Sequence, residues 1–397
     1  MVEDGCSLKM NTKTRIGFVL PSGEWLGGRN YLRNLFAALR SVPGNSIEPV
    51  VFTGSMAGDL GTDFPGIDII RTSALERKTP GWLARKVIAK STPRDSILER
   101  ILKRNGVSVL SHCFHLGRQD SIKTIAWIPD FQHLHLPELF SEQELRHRNK
   151  EYRELCEKCD KVIISSECAR ADLLAFAPQS AHKAELLHFV ASPAPLDRAA
   201  SLTSLQDTYK FHGNYFLLPN QFWKHKNHRV VLSALMILKQ RKEPFLVLAT
   251  GSTEDSRNPD FFQSLMRFAT ECDVLDCFRV LGKIPFDHLV GLMRYSTAFI
   301  NPSHFEGWST SVEEAKSMGK QIVLSDLPVH REQSPDRAFF FPPDDAEALA
   351  LSMLDARQHY DPVLDQSIQL RERDHFVERQ KAYGNAYINI VNRTLVG

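Results

Sequence analysis

The sequence predicts an α/β protein of two Rossmann-like domains, each a doubly wound parallel sheet, that face each other across a cleft. Short apolar runs alternate with longer amphipathic stretches along most of the 397 residues, as in parallel sheets covered by helices on both faces. The alternation breaks once, at a proline-containing stretch that begins at Ala191, and then resumes. At about 150 residues a domain, this length also suits two sizeable domains.

The elements of the first half follow from this alternation. Residues 15–20 are predicted to form the first buried strand, and residues 31–39 have the spacing of a helix. A longer helix is predicted over residues 142–159. Three further apolar runs are predicted to be strands, namely residues 107–110, 125–128 and 161–165.

The second half repeats the pattern after a linker of small and proline residues. A helix is predicted over residues 228–239, and residues 371–396 have a helical pattern without a strand to pair. The predicted strands are residues 215–218, 245–249, 278–281, 298–300 and 321–324. We therefore expect an N-terminal domain over residues 1–195, a C-terminal domain over 196–370 and a final helical segment over 371–397.

Composition and charge exclude several classes of protein. Apolar residues make up 43% and charged residues 24% of the chain, which excludes wholesale disorder. The 49 basic and 47 acidic residues leave a net charge of +2, which argues against a surface built to hold nucleic acid. No apolar run approaches the roughly 20 residues that span a bilayer, and residues 1–14 lack the apolar core of a signal peptide. We expect a soluble, cytoplasmic protein.

The cysteines do not predict a disulfide framework or a metal site. Their number, seven, is odd and they are unevenly spread. Cys156 and Cys159 form a C-x-x-C, but they lie in a predicted helix, and Cys272 and Cys277 have the wrong spacing for a zinc ribbon. Packing inside the domains is the favoured role. The chain also has no Asp-x-Asp, so no carboxylate pair is evident to hold Mg²⁺ at a diphosphate.

The first strand-end loop that suits a ligand contains Gly27 and Gly28. Ligands in open α/β sheets bind outside the carboxyl ends of strands, and the cleft between two such domains is the expected site. Paired glycines let the backbone approach a ligand closely, and the following helix offers free N–H groups to an anion. A simple tight turn is the alternative, because two glycines alone are a weak signal.

The second such loop gathers an acid and two imidazoles, Asp130, His133 and His135, at the end of a strand. Asp130 or His133 is suited to handle a proton or to orient a substrate hydroxyl. A histidine with a structural hydrogen bond is the alternative interpretation of His133.

The third loop, residues 219–228, places Lys224, His225 and Lys226 between a strand and a helix. Lys226 enters the start of that helix, where the helix dipole and the ammonium would act together on a phosphate. A solvated basic surface is the alternative.

The fourth loop, residues 299–319, is the most specific. Ser309 or Thr310 is a good helix N-cap, and Glu306 and Glu314 then lie on either side of the free N–H groups of residues 307–311. Two carboxylates beside an anion cradle suit a ligand with hydroxyls on both sides of a phosphate, which describes a nucleotide sugar. Glu313, about 100° further round the helix, is expected to be solvated, and a role for Glu314 in complementing the helix dipole is the alternative.

On these residues the chain resembles the family 4 (group 1) glycosyltransferases of the GT-B fold. Glu306 and Glu314 match the family's E-x7-E motif in its E-G-aromatic form. Gly27 and Gly28 are similar to the glycine loop of its N-terminal domain, and Lys226 falls where its diphosphate-binding lysine lies. The similarity covers nearly the whole chain, including a C-terminal helix that in this family crosses back to the first domain.

The resemblance implies an enzyme that transfers a hexose, of mannose or glucose type, with retention from a GDP- or UDP-sugar. The acceptor would be a glycan, a lipid-linked glycan or a polysaccharide, and neither a cofactor nor an essential metal would be needed. A non-catalytic subunit that binds nucleotide sugars in a glycan-assembly complex stays open as the alternative.

The resemblance also assigns roles to single residues. Glu306 would contact the donor sugar and Glu314 the ribose, while Asp130 would line the acceptor side of the cleft. Lys283 and Ile284 would form the loop at the edge of the base. The diphosphate would be bound by Lys226 and by the backbone of Gly307, Trp308, Ser309 and Thr310.

Two positions depart from the family pattern. The family's arginine is replaced by Gln221, so Lys224 or His225 is expected to supply the missing charge. A glycine of the family is replaced by Ser309, whose side chain is expected to narrow the approach to the phosphate. Either change would alter the donor site.

The net charge of +2 hides a basic segment. Residues 77–104 contain nine basic and two acidic residues, a net charge of +7, which leaves −5 for the rest of the chain. Apolar residues interleave with these charges at near-helical spacing, interrupted at Pro93. We expect either a surface that meets an anionic membrane or a lipid-linked acceptor, or a solvated helix face over the core of the first domain.

Overall fold

Two parallel β-sheets form the framework of the protein, and each is built from one half of the chain. The computed structural model describes residues 13–20, 26–92, 94–112, 116, 121–193 and 196–396. The two-domain α/β architecture predicted from the sequence is confirmed. The domain boundaries at 195 and 370 stay predictions.

The first sheet belongs to the N-terminal domain. Its strands are β1 (Thr14–Val19), β2 (Ile47–Thr53), β3 (Asp68–Arg71), β4 (Val107–Ser111), β5 (Lys123–Ile128), β6 (Lys161–Ile164) and β7 (Ala184–Leu186), in the order β3-β2-β1-β4-β5-β6-β7. The helices of this half are α1 (Leu26–Ser41), α2 (Pro80–Ser91), α3 (Ser96–Arg104), α4 (Gln132–His135), α5 (Glu142–Lys158) and α6 (Glu167–Phe176).

Local sequence explains where these helices begin. Helix α5 opens with a capping box, because Ser141 Oγ accepts from the Glu144 N–H while the Glu144 carboxylate accepts from the Ser141 N–H. This start agrees with the helix predicted over residues 142–159. Cys156 is buried in α5 and Cys159 follows it, both as free thiols, in agreement with the predicted packing role.

The second sheet belongs to the C-terminal domain. Its strands are β8 (Phe216–Leu218), β9 (Val247–Thr250), β10 (Phe278–Gly282), β11 (Phe299–Asn301), β12 (Ile322–Ser325) and β13 (Ala338–Phe341), in the order β10-β9-β8-β11-β12-β13. Helices α7 (Leu202–Tyr209), α8 (His228–Gln240), α9 (Phe261–Glu271), α10 (Phe286–Tyr295), α11 (Thr310–Ser317), α12 (Pro328–Gln333) and α13 (Ala346–Gln358) connect them.

The last helix, α14 (Pro362–Val396), joins the two domains and begins earlier than the predicted residues 371–396. Near its start, Asp365 accepts from Lys320 at 2.5 Å in the C-terminal domain. Further along, the Tyr387 hydroxyl donates to Ser111 Oγ at 2.8 Å in the N-terminal domain. Gly384 lies so close to α1 that a Cβ atom there would be 2.5 Å from the Ala38 carbonyl oxygen.

The strand order places two of the predicted loops side by side. Strand β8 pairs with β11 in parallel, with Phe299 opposite Leu217, so the loops that follow these strands leave the same edge of the sheet. This is the position at which the strand order reverses direction and at which open α/β sheets bind ligands.

Among the residues that the structure describes, no helix has both the length and the apolar character needed to cross a membrane.

Candidate functional site

An ion pair joins the loops that follow β8 and β11. Lys226 Nζ lies 2.6 Å from Glu306 Oε1, and both side chains are largely buried, with 14% and 9% of their surface exposed. Lys226 belongs to a short turn of residues 224–226 just before α8, which begins at His228. Two of the residues predicted to form the site are therefore in direct contact.

The surroundings of Glu306 keep it ionised. Burial alone would raise the pKa of this carboxyl, but the neighbouring positive charges, above all that of Lys226, outweigh it and lower the pKa to about 2. Glu306 Oε1 also lies 2.7 Å from Ser303 Oγ. The hydrogen bonds of this carboxylate with the described residues run through Oε1, so within that part of the chain Oε2 is available to accept from a ligand hydroxyl.

A network of short polar side chains shapes the turn between β11 and α11. Asn301 Nδ2 donates to Ser309 Oγ at 2.8 Å and to Ser311 Oγ at 3.0 Å, and all three residues are buried. Asn301 Oδ1 lies 2.7 Å from Ser303 Oγ. Since one hydroxyl has one proton, Ser303 donates to Asn301 or to Glu306 at a given moment. The network fixes the position of the Glu306 carboxylate through its contact with Ser303.

The structure corrects the expectations for Ser309 and Glu313. The Ser309 hydroxyl is held by Asn301 inside the domain and does not narrow the approach to a phosphate. The Ser309 N–H is not free, because it donates to Gln333 Oε1 at 3.0 Å. Gln333 Nε2 in turn donates to the Glu313 carboxylate at 3.0 Å, and Glu313 is 1% exposed rather than solvated. Gln333 belongs to the neighbouring helix α12. The apolar periodicity of the sequence does not predict that α12 packs beside Glu313.

Glu314 is half-buried on α11, eight residues after Glu306. Burial raises the pKa of its carboxyl to about 7. Among the described residues, no cation or N–H group pairs with it. Glu314 is therefore free to bind a ligand, and its charge state changes near neutral pH.

In the loop after β8, the surroundings of Gln221, Lys224 and His225 decide which side chain can supply the missing charge. Gln221 Oε1 accepts from the Ser252 N–H at 2.7 Å, which ties this side chain to the next loop. Lys224 is exposed. His225 is buried, and its burial lowers the pKa to about 3, so it is uncharged at neutral pH and does not supply the missing charge.

Gly307 touches the N-terminal domain. A Cβ atom at this position would lie 2.8 Å from the Cβ of Asp130 and would overlap the carbonyl oxygen of Pro129. The loop that carries Glu306 is therefore in contact with the Asp130 loop across the cleft. Asp130 Oδ1 accepts from the Gln132 N–H at 2.9 Å, which fixes the carboxylate at this edge.

His133 does not join this group. It is 1% exposed, its Nε2 is 3.2 Å from Asn149 Oδ1, and its ring packs among Phe131 and Tyr152 in the N-terminal domain. Burial lowers its pKa. These contacts fit the alternative interpretation of His133 as a histidine with a structural hydrogen bond. His135, in contrast, lies in the cleft, with its ring centroid 5.1 Å from that of Phe305.

Gly27 and Gly28 are part of α1 rather than of the loop before it, which corrects the predicted loop position. A Cβ atom at Gly27 would meet open space, so close packing does not require glycine there. Residues 21–25 of the predicted loop lie outside the described residues. Lys283 and Ile284 follow β10 directly, with Lys283 exposed and Ile284 half-buried.

Trp308 and Thr310 flank Ser309 but face different surroundings. The Trp308 indole is buried between the two domains, where its Nε1 donates to the Phe189 carbonyl at 3.0 Å. Thr310 is exposed at the first turn of α11. If Trp308 contacts a sugar donor, it must do so through its backbone, because its side chain connects the two domains.

Sequence reasoning missed Arg257 and His330. Arg257, on the loop after β9, donates to Gln132 Oε1 at 3.3 Å and lies 4.8 Å from the ring centroid of Phe140, both in the N-terminal domain. It brings a positive charge to the cleft near His225. His330 lies in α12, close enough to Glu306 for each charge to act on the other. Neither residue stands next to a motif in the sequence.

The site can bind anions and polyhydroxylated ligands. Lys226 and the N-terminus of α11 suit a phosphate, and the carboxylates of Glu306 and Glu314 suit hydroxyl groups. Within the described parts of the chain, no three His, Cys, Asp or Glu side chains come together as metal ligands.

Comparison with protein families matches the C-terminal domain. Residues 210–361 match the family model described as glycosyl transferases group 1. These residues include the ion pair of Lys226 with Glu306 as well as Glu314, Lys283 and Ile284. The predicted likeness to group 1 glycosyltransferases is thus confirmed for this part of the chain, and family 4 membership and retention stay predictions.

Two curated relatives are O-antigen chain mannosyltransferases. RfbU of Salmonella typhimurium is 26% identical over 135 residues, which are 34% of this chain and 36% of the relative. Mannosyltransferase B of Escherichia coli is 22% identical over 224 residues, 56% of this chain and 58% of the relative. The matched region thus spans about a third to three-fifths of the length of these relatives.

Two solved structures share the whole fold. Sucrose-phosphate synthase of Thermosynechococcus elongatus superposes with a TM-score of 0.70 at 15% identity, covering 97% of this chain and 100% of that one. Anabaena HepE in complex with UDP and glucose superposes with a TM-score of 0.63 at 14% identity, covering 93% and 97%. At these identities the likeness shows the fold, which is the GT-B arrangement of two Rossmann-like domains.

Proposed function

We propose that this protein is a retaining glycosyltransferase that moves a hexose from a nucleoside diphosphate sugar to a glycan, a glycolipid or a polysaccharide. The observation that carries the proposal is the buried ion pair of Lys226 with Glu306 on adjacent strand-end loops, next to Gly307, which contacts the Asp130 loop of the other domain. The match of residues 210–361 to group 1 glycosyltransferases supports it.

In the proposed reaction, the sugar carbon forms a bond to an acceptor hydroxyl oxygen as its bond to the diphosphate breaks. Negative charge grows on the departing diphosphate, which takes up the proton that the acceptor hydroxyl loses. Lys226 and the N-terminal N–H groups of α11 would stabilise that charge because they are already held in place. Fixed positive groups of this kind can do the work of a metal ion, so we propose a metal-independent reaction without a further cofactor. Arg257 would supply the cation that Gln221 lacks.

The two glutamates would bind different parts of the donor on either side of the diphosphate. Glu306, kept ionised by Lys226, would accept hydrogen bonds from hydroxyls of the sugar through Oε2. Glu314 would bind the ribose, and Lys283 with Ile284 would lie at the edge of the base. Asp130 would meet the acceptor from the opposite side of the cleft.

The relatives guide the proposed choice of sugar. Both curated relatives bear the name of O-antigen chain mannosyltransferases, which supports a mannose-type hexose. HepE was solved with UDP and glucose, which keeps a UDP-sugar beside a GDP-sugar as the donor.

A peripheral contact with an anionic membrane at the cytoplasmic face is part of the proposal. Leu83 and Val87 lie one turn apart on α2 and are 51% and 63% exposed, with Lys86 between them. Arg85 pairs with Asp95 at 2.7 Å, so a membrane would meet the other basic residues of 77–104, which carry the net charge of +7. Co-sedimentation with anionic vesicles at low salt would show binding, and its loss on changing Leu83 to Glu would assign it to α2.

Donor hydrolysis tests the proposed function. Wild type and the variants Glu306→Gln and Glu271→Gln would be incubated with GDP-mannose and UDP-glucose, and the released diphosphate measured. We expect most turnover to be lost in Glu306→Gln and kept in Glu271→Gln, whose glutamate is exposed at the end of α9. Equal turnover in all three would refute the role of Glu306. Binding of a nucleotide sugar without turnover, across several acceptors, would favour a non-catalytic subunit.

A further inference from the structure

Gln333 binds the backbone of the loop that carries Glu306, although it belongs to the neighbouring helix α12. Its Oε1 accepts from the Ser309 N–H at 3.0 Å, and its Nε2 donates to the Ser309 carbonyl oxygen at 3.0 Å. An N–H group only donates and a carbonyl oxygen only accepts, so these two bonds define the orientation of the Gln333 amide. One side chain therefore holds both backbone groups of Ser309.

The hydrogen bonds of Gln333 lie inside the C-terminal domain. Gln333 and Ser309 are each 2% exposed, and Glu313, which accepts from Gln333 Nε2 at 3.0 Å, is 1% exposed. Lys316 Nζ adds a further bond, because it donates to the Gln333 carbonyl oxygen at 2.6 Å. A buried backbone group without a partner is costly, so the Ser309 backbone is held in one position for as long as Gln333 stays in place.

Ser309 is the N-cap residue of α11, but its side chain does not cap the helix. A serine at this position normally accepts from an N–H group of the first turn, whereas the Ser309 hydroxyl accepts from Asn301 inside the domain. The N–H groups of the other residues in 307–311 have no acceptor among the residues that the structure describes. Gln333 thus fixes the backbone unit in the middle of a row of N–H groups that are available to a ligand.

Glu332, the residue before Gln333, anchors α12 to the N-terminal domain. Its Oε1 accepts from the Glu167 N–H at 2.7 Å and lies 2.8 Å from His188 Nε2. The Glu332 side chain is 17% exposed, so these bonds are largely shielded from water. Two consecutive residues of one helix therefore contact the N-terminal domain and the backbone at the proposed diphosphate site.

We propose that α12 positions the diphosphate site of this protein. Gln333 is a positioning residue, because it holds the Ser309 backbone so that the N–H groups on either side of it point at the departing diphosphate. Glu332 makes this hold depend on contact with the N-terminal domain, which links donor binding to closure of the domains. The inference rests on the proposed function and adds to it two residues outside the E-x7-E motif.

Four variants separate positioning from support of the fold. Gln333→Met keeps the approximate length and volume of the side chain and removes its hydrogen bonds. Gln333→Glu keeps an acceptor for the Ser309 N–H but has no donor for the Ser309 carbonyl, and it replaces the first variant if that one does not fold. Glu332→Ala removes the anchor to the N-terminal domain. Arg331→Ala, on the exposed face of α12, is the matched control.

Affinities of the full chain for GDP and guanosine, and for UDP and uridine, test the inference by calorimetry and competition. We expect Gln333→Met to weaken binding of the preferred nucleoside diphosphate by about tenfold, the effect of one hydrogen bond to a charged group. The affinity for the nucleoside should stay unchanged. Turnover of GDP-mannose or UDP-glucose should fall by a larger factor, because the N–H groups act most strongly on the charge that grows in the transition state. Glu332→Ala should show the same pattern more weakly, and Arg331→Ala should match wild type.

Each other outcome overturns the inference or a defined part of it. If wild type binds no nucleoside diphosphate, the proposed function fails and this inference with it. If wild type binds one and both Gln333 variants bind it equally well, the function stands and Gln333 does not position the diphosphate site. If a Gln333 variant loses affinity for the nucleoside and the nucleoside diphosphate alike, Gln333 only supports the fold. Unchanged binding and turnover in Glu332→Ala would refute the link to the N-terminal domain.

Discussion

The Trp308 indole stacks on the His188 imidazole across the two domains, with ring centroids 4.4 Å apart and planes within 6° of each other. His188 Nε2 lies 2.8 Å from Glu332 Oε1 in the C-terminal domain, and that carboxylate also accepts from the Glu167 N–H at the start of α6. Trp308 follows the donor loop of Glu306 and Gly307 directly. The contact that joins the domains is thus built into the same loop as the proposed donor site.

Replacing Trp308 should separate these two roles. Trp308→Phe keeps an aromatic ring on His188 but loses the hydrogen bond to the Phe189 carbonyl, which should cost about 1 kcal/mol of unfolding free energy. Trp308→Ala should cost about 3–5 kcal/mol, because it also leaves a cavity. Urea denaturation measures both. Equal losses in the two variants would show that ring packing between the domains contributes little.

Replacing only Lys226 of the ion pair with Glu306 should destabilise the protein more than replacing both residues. Lys226→Met leaves a carboxylate buried without its partner, which should lower the unfolding free energy by about 3 kcal/mol. Adding Glu306→Gln removes that unpaired charge, so the double variant should recover much of the loss. A double-mutant cycle in denaturant measures the coupling, and simple additivity would contradict a direct pair.

The start of α14 should depend on a buried charge cluster. Asp365 is 2% exposed and accepts from Lys320 at 2.5 Å and from Arg337 at 2.8 Å. Asp365→Ala leaves Lys320 buried without its anion and should cost about 3–5 kcal/mol. Arg331→Ala, which breaks an exposed pair with Asp326, is the control and should change the stability far less, because water screens exposed pairs. Similar melting temperatures for both variants would refute the importance of the cluster.

The strands predicted from the sequence are the central strands other than β2 and the edge strand β10, whereas β2, β3, β7 and β13 were missed. Strands β3, β7 and β13 lie at sheet edges, and most of their residues are only partly buried. They therefore contain no fully buried run that a periodicity argument detects. In β2 the apolar run is interrupted by Glu48 and Pro49. Partial burial at an edge does not by itself hide a strand, because the edge strand β10 is also mostly half-buried and was predicted as residues 278–281.

The candidate site, too, could be predicted only in part from the sequence. Loop position after a strand was enough to bring Lys226, Glu306 and Asp130 together in the prediction. It was not enough to tell Glu313 from Glu314, because Gln333 on another helix decides which carboxylate is buried and paired. His330 stayed unnoticed for the same reason. Contacts between distant elements depend on packing, which one strand and its following loop do not encode.

Glu314 should give the protein a pH-dependent stability between about pH 4.5 and 7. Its pKa is about 7 in the folded protein against an ordinary 4.5, so the folded state binds a proton that the unfolded state releases in this range. The stabilisation is complete below about pH 4.5 and is lost as the pH rises through 7. Glu314→Gln should remove this slope, as measured by urea midpoints from pH 4.5 to 8.

Glu306 provides a contrast with the opposite sign. Its pKa is about 2 in the folded protein, so its contribution is present above about pH 4.5 and is lost as the pH falls towards 2. Glu306→Gln should reduce the change of the urea midpoint with pH below about pH 4.5. It should leave the slope of the midpoint between pH 5 and 7 unchanged. An unchanged slope in Glu314→Gln would show that Glu314 ionises in the folded protein at its ordinary pKa.

The contact of Gly307 with the Asp130 loop should be needed for the domains to close around a donor. A methyl group at residue 307 would overlap the Pro129 carbonyl oxygen and lie 2.8 Å from the Asp130 Cβ. Gly307→Ala should therefore hold the two loops apart without filling the core of either domain. We expect a larger radius of gyration in small-angle scattering and a fall in donor turnover, with a smaller change in melting temperature than in Trp308→Ala.

Gly27→Ala is the matched control for that substitution. A Cβ atom at Gly27 meets nothing within 4 Å, and alanine favours a helix over glycine by roughly 1 kcal/mol. This variant should keep the radius of gyration and should be slightly more stable than wild type, because residue 27 lies in α1. If Gly307→Ala behaved like Gly27→Ala in scattering, the close approach of the two loops would not matter for the closure of the domains. A loss confined to Gly307→Ala would assign the need for glycine to the contact across the cleft.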